Sequence, residues 1–200
     1  MVLKAIDGWL KKPVVAVGVF LLCLSPLLWL VLSVLLGDLG ADPAKTIVKE
    51  LGFWAAVLLW VSLVSSSLSR RAKITFLLRR RRMLGLFAFF YALIHLLSYL
   101  TFILGWRWDL IGNELTKRPY IVVGMVAVLL LVPLALTSTK RAQKALGRSW
   151  KRLHQLVYPA ALLVLIHIIW MVRASYLEAL IFSVCLGLLF IERFAASKKI

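Results

Sequence analysis

Residues 150–171, WKRLHQLVYPAALLVLIHIIWM, decide how the chain is read. As a membrane-spanning helix, this stretch carries His154 at its basic, water-facing end and His167 thirteen residues further in. A polar ring deep in hydrocarbon is costly, so His167 marks a functional position by default and calls for a partner. The chain has three histidines, and the remaining one, His95, also lies inside an apolar run.

The rest of the chain has the same character. Its 200 residues are 62% hydrophobic with a mean hydropathy of +0.94, whereas the apolar share of a soluble domain is nearer half. Spans of about 20 residues cross about 30 Å of hydrocarbon. Six apolar runs fit that length, at 13–36, 52–68, 83–103, 120–136, 154–171 and 177–194. They predict an all-α, polytopic membrane bundle of six transmembrane helices over residues 1–200, as one domain with no room for a soluble one.

A net charge of +17 would suggest nucleic acid in a soluble protein, but the distribution of the charge explains it otherwise. With the N-terminus inside, the inner segments hold Lys4, Lys11 and Lys12; Arg70, Arg71, Lys73 and Arg79 to Arg82; Lys140, Arg141, Lys144, Arg148, Lys151 and Arg152; and Arg193, Lys198 and Lys199. That is 19 of the 25 Lys and Arg. The outer six, Lys45, Lys49, Arg107, Lys117, Arg118 and Arg173, face six acids, Asp38, Asp42, Glu50, Asp109, Glu114 and Glu178. The positive-inside rule then puts both termini in the cytoplasm. Basic character is therefore topology first, with attraction to anionic lipid second.

Cys23 and Cys185 sit in apolar runs with no CxxC, as small core or lipid-facing residues. The first run is longer than a signal peptide's apolar region of about 7–15 residues, so it is expected to be an uncleaved helix. Pro13 suits its first turn. In the outer segment 37–50, Asp42-Pro43 reads as a turn or helix start. Ile47, Val48 and Leu51 read there as an amphipathic piece along the interface. Ser62, Ser65, Ser66 and Ser67 suggest a second helix packed on protein.

The run RRAKITFLLRRRR (70–82) is first a stop on translocation. Its end, Arg79 to Arg82, lies close enough to the membrane for an arginine to reach a propionate, phosphate or quinone oxygen. A solvated face is the plainer reading of any single one. The third helix is dense in aromatics, with Gly85 allowing close approach. Trp106 and Trp108 fall at an interfacial belt. TKRAQKALGRSWKR (139–152) reads as a short basic amphipathic helix, and Arg173 to Glu178 as a tight turn. No internal repeat is apparent.

Depth brings two histidines together. His95 lies 12 residues beyond Met83, and His167 lies 13 beyond His154. At about 1.5 Å per residue, both imidazoles sit about 18–20 Å in from the same side. Paired imidazoles across a bundle are a natural axial arrangement for haem. Zinc fits less well, since a closed site wants four N or S ligands. The plainer alternative is two unrelated histidines satisfied by neighbouring backbone or serine groups.

His154 stays open. An ideal helix puts it roughly 140° around from His167, and Pro159 between them is a site for a kink. Arg81, Arg82 and Met83 stand at the matching depth on the third helix. Three roles fit: second haem ligand with an unusual partner, hydrogen-bonding residue for a propionate or quinone, or interfacial histidine.

The segments GDLGADPAK (37–45), RRMLGLFAFFYALIHLLSY (81–99), LTKRPY (115–120), LALTST (134–139) and LGRSWKRLHQLVYPAALLVLIHIIW (146–170) closely resemble the MsrQ (YedZ) family, in order through the fifth helix. The resemblance implies membership in the ferric-reductase-like transmembrane superfamily, with haem b between the third and fifth helices. The matching positions are His95, His154 and His167. It further implies electron flow from respiratory quinones, across the bacterial inner membrane, to a periplasmic molybdopterin subunit, MsrP. That subunit, in a heterodimer with this one, would reduce methionine sulfoxide in envelope proteins. FMN is associated with the family, without a site assignable from the residues. Arg81, near the inner histidine position of two-haem superfamily members, departs from a conventional second site.

The leading expectation is thus an electron-transfer subunit whose substrate chemistry lies in its partner. One alternative is a non-redox scaffold or small transporter, with helices broken at Pro26, Pro133 and Pro159. Another is a ferric reductase fed by a separate donor protein, since the chain has no GxGxxG. The outer segments Asp38–Glu50 and Gly105–Lys117 are the expected partner surface.

Overall fold

The computed structural model describes residues 13–72, 76–171 and 176–197. Of the charges used to orient the chain, Lys4, Lys11, Lys12, Lys73, Arg173, Lys198 and Lys199 lie outside them, as does the start of the turn expected at Arg173 to Glu178.

Among the described residues nine α-helices follow one another: α1 (Pro13–Leu36), α2 (Pro43–Ala72), α3 (Phe76–Ser98), α4 (Trp108–Lys117), α5 (Pro119–Leu136), α6 (Lys140–Leu146), α7 (Arg148–Leu153), α8 (Val157–Met171) and α9 (Leu177–Ser197). A wide π turn, Tyr99–Ile103, extends α3, and a 3-10 turn, His154–Leu156, joins α7 to α8. No strand occurs among the described residues. Among the described residues, five segments are long and apolar enough to cross a membrane: Pro13–Leu36, Pro43–Ser69, Leu78–Ile103, Pro119–Leu136 and Arg148–Met171. A helix, α9, also stands where the sixth apolar run was read.

The outward side chains explain why such helices need lipid. α9 buries Ala179, Phe182 and Leu186 and exposes Leu177, Leu180, Ile181, Val184, Leu188 and Ile191. α1 likewise exposes most of its valines and leucines. Apolar surface on this scale marks contact with lipid or protein, not water.

α2 and α3 form the tightest pair, α5 and α8 the next, and α3 joins the pairs through α5. The serine-rich end of α2 faces protein as expected, with Ser62, Ser65, Ser66 and Ser67 all buried. Ser65 and Ser66 donate back to Val61 O and Leu63 O. Trp60 Nε1 donates to Phe182 O at 3.0 Å, which ties α9 to α2.

Proline breaks are repaired locally. In α1, Pro26 has no N–H for the carbonyl of Leu22; Ser25 Oγ donates to it at 2.9 Å instead. One residue on, the hydroxyl of Tyr91 on α3 enters the helical ladder. It donates to Cys23 O at 2.8 Å and accepts from Leu27 N–H at 3.1 Å.

Two sequence expectations change. The outer segment 37–50 is not a separate interfacial piece, because α2 starts at Pro43 and runs unbroken into the span. Val48 and Leu51 are buried there, since their apolar stripe continues the packed face of α2. The basic segment 139–152 is two helices, not one. Gly147, at φ 50 and ψ −120, breaks it in a backbone conformation that suits glycine.

Candidate functional site

His95 on α3 and His167 on α8 come together between the two helix pairs, with ring centroids 6.3 Å apart and planes at 82°. Each is tied by Nδ1 to a backbone carbonyl of the helix it packs on. His95 donates to Val48 O on α2 at 2.8 Å, and His167 donates to Tyr120 O on α5 at 2.7 Å. A carbonyl only accepts, so each Nδ1 carries a proton, which in a neutral imidazole leaves the lone pair on Nε2.

A cavity of about 410 Å³ surrounds the rings. Its walls between α2, α3, α5 and α8 are made of Gly52, Ala55, Ala56, Ala88, Ala92 and Ala127. Short side chains on α2, α3 and α5 leave a slot, while Phe53, Leu59, Leu131 and Phe182 close it with apolar bulk. Lys49 and Glu178 also line it, near the histidine end of the bundle.

These residues fit a haem. Two metal–nitrogen bonds of about 2 Å each, together with the distances from the ring centres to the two nitrogens, fill the observed 6.3 Å. Two neutral imidazoles are a known axial donor set. Hydrogen bonding of the second ring nitrogen to a carbonyl is what orients a metal-bound histidine.

His154 lies elsewhere, in a second cavity of about 530 Å³ at the arginine-rich end. Arg81, Arg82, Lys151, Gln143 and Gln155 line it, with Gly85, Phe89 and Tyr158. The ring stacks on Trp150, centroids 3.9 Å apart. Its Nε2 is 3.2 Å from Thr137 Oγ1. That hydroxyl donates to Pro133 O at 2.6 Å, so Nε2 is the donor to it and the lone pair of His154 lies on Nδ1. Trp150 Nε1 donates to Thr137 O at 2.9 Å and holds the stack in place.

The expected kink between His154 and His167 takes the form of the 3-10 turn at His154–Leu156. A proline ring clashes with the carbonyl four residues back, and for Pro159 that carbonyl belongs to Gln155, inside the turn.

Among the described residues, only Leu59 and Leu131 line both cavities. They form an apolar partition, 3% and 6% exposed, between the histidine slot and the basic chamber.

Sequence reading missed the partners that hold these rings. Val48, Gly52 and His95 recur as Tyr120, Gly124 and His167 at a constant offset of 72 residues, and the leucines of the partition obey the same offset. The usable signal was the identical Gly–His spacing in two apolar hairpins, with GxxA at Gly52–Ala55 and again at Gly124–Ala127. The likeness is otherwise too sparse to show as a repeat.

The chain is similar to known proteins. The ferric reductase like transmembrane component family matches residues 51–165. The chain is 47% identical over 178 residues to the protein-methionine-sulfoxide reductase heme-binding subunit MsrQ of Rhodospirillum rubrum, covering 88% of this chain and 86% of that protein. It is 43% identical over 187 residues to the protein of the same name from Yersinia pseudotuberculosis, covering 93% and 90%.

Proposed function

The chain belongs to the MsrQ family of haem-binding membrane subunits, within the ferric reductase like transmembrane components, and on that premise we propose that it is a b-type cytochrome carrying electrons to a periplasmic methionine sulfoxide reductase. The observation that carries this reading is the His95–His167 pair, 6.3 Å apart with each Nδ1 bonded to a backbone carbonyl.

His95 and His167 would hold one haem b between α3 and α8. When bound, the group supplies a one-electron ferric/ferrous couple. The protein's own part is to orient and insulate. Val48 O and Tyr120 O hold the Nδ1 protons, the alanine walls keep water out, and Lys49 at the mouth suits an anionic propionate.

The proposed topology is a single six-span unit of the bacterial inner membrane, with α9 as the sixth crossing and both termini in the cytoplasm. The basic chamber then faces the cytoplasm and the histidine slot the periplasm. Electrons enter at the chamber from respiratory quinone, cross the Leu59–Leu131 partition and leave outward to an MsrP-type molybdopterin partner, where the sulfoxide is reduced.

Arg81, Arg82 and Lys151 give the chamber the charge for a quinone oxygen or for the phosphate of FMN. A second haem on His154 is the other proposed occupant. Ligation through its Nε2 requires release from Thr137 Oγ1, whereas Nδ1 already has its lone pair.

Absorbance spectra of the purified protein, oxidised and dithionite-reduced, test the reading. A low-spin b-type spectrum lost in His95→Ala and His167→Ala is expected. A colourless wild type made with ample haem would turn the assignment toward a scaffold or transporter.

A further inference from the structure

Gly52 and Gly124 stand out among the described glycines. A Cβ built on Gly52 would lie 2.9 Å from both Cε1 and Nδ1 of His95. On Gly124 it would lie 2.9 Å from Nδ1 and 3.0 Å from Cε1 of His167. No other described glycine meets anything closer than 3.6 Å, the distance from Gly85 to Ser62 Oγ. Glycine inside a helix costs about 1 kcal/mol relative to alanine, so a close approach is the physical reason to keep one there.

The neighbouring carbonyls make each glycine part of a larger unit. Val48 is four residues before Gly52, and Tyr120 four before Gly124. In an α-helix each of these carbonyls receives the glycine's own N–H, and its second lone pair is what the imidazole uses. Helix backbone therefore grips each ring twice, by the carbonyl at Nδ1 and by the bare Cα at its Nδ1–Cε1 edge. A ring so held has little freedom to turn about its own bonds.

We propose that Gly52 and Gly124 are positioning residues that fix the planes and the Nδ1 hydrogen bonds of the two imidazoles, and through them the electronic character of the group that they bind. The proposal rests on the haem reading above and concerns what the two glycines, which also line the slot, do to the imidazoles. An added methyl at either glycine forces the ring away from its carbonyl. Loss of that bond makes the imidazole a weaker donor and favours the reduced state.

The test compares wild type, Gly52→Ala, Gly124→Ala and a control, Gly187→Ala on α9, where a Cβ meets nothing within 4 Å. Haem affinity is expected to fall about 10- to 100-fold in the first two variants, as for other lost partners of a metal-bound histidine. Their ferric electron-paramagnetic-resonance g values should shift and their midpoint potentials rise, while Gly187→Ala matches wild type. Glycine variants with the wild-type spectrum, g values and potential would overturn the proposal while leaving the haem reading intact. A wild type without haem would remove the reading itself.

If a glycine variant fails to accumulate, the same change is made with His95→Ala or His167→Ala respectively. With the ring gone, the methyl has room and accumulation is expected to return to that of the histidine variant alone. Continued failure there would assign the glycine to general helix packing and overturn the proposal.

Discussion

The imidazole planes of His95 and His167 stand at 82° to one another across a centroid separation of 6.3 Å. If these two rings hold a haem as proposed, planes so nearly perpendicular would leave the two π-type iron orbitals close in energy. The ferric protein is therefore expected to give a strongly anisotropic low-spin resonance dominated by one large g value, in place of three well-separated rhombic lines. Low-temperature electron paramagnetic resonance measures this directly. A rhombic spectrum would mean that the rings rotate toward parallel when the group is bound.

Tyr91 carries a structural burden separable from the haem site. Its hydroxyl bridges Cys23 O and Leu27 N–H beside Pro26, and the residue is fully buried without lining either cavity. Tyr91→Phe strands both backbone groups, at about 1–3 kcal/mol for each one left unsatisfied. Thermal unfolding in detergent should move down while the visible spectrum is unchanged. An unaltered unfolding temperature would show that α1 re-forms its ladder without the hydroxyl.

The basic chamber predicts a different set of effects. Replacing Arg81, Arg82 or His154 by alanine should slow reduction by a soluble quinol analogue, with the His95–His167 spectrum retained. The haem content of His154→Ala, assayed as pyridine haemochromogen, separates the two occupants. A fall from two haems to one per chain supports ligation by His154, and an unchanged content supports quinone or flavin. Quinol reduction at the wild-type rate in all three variants would move the entry point away from this chamber.

What the sequence makes legible here is governed by hydrocarbon. Apolar length gives the crossings, and equal depth brings His95 and His167 to the same place. The features that escaped depend on neighbours distant along the chain. Val48 looks amphipathic until α3 covers it, and Gly52 looks like any glycine until an imidazole lies against it. α4 escaped for another reason: at ten residues it is too short for a crossing, and its surroundings were read only for the interfacial Trp106 and Trp108. His154 was placed at the correct end of its span, but its hydrogen bond to Thr137 comes from the end of α5, a helix distant along the chain.

The outer surface supplies the last prediction. Asp42 pairs with Lys45, and Asp109 pairs with Arg107 at 2.9 Å, all on exposed segments between the crossings. The side-chain hydrogen bonds from Lys45 and Arg107 hold the two carboxyl groups below the usual carboxylate range. A depressed pKa keeps the group ionised to lower pH than a free aspartate of about 3.9, so neither changes charge between about pH 5 and 8. If this face meets the periplasmic partner, electron delivery should depend on salt, through screening over about 10 Å at 0.1 M, and these two carboxylates should add no pH dependence in that range. Asp42→Lys and Asp109→Lys should weaken delivery to the partner and leave the haem spectrum and quinol reduction as they were. Reconstituted electron transfer measured against salt checks this, and full delivery from both variants would place the docking face elsewhere.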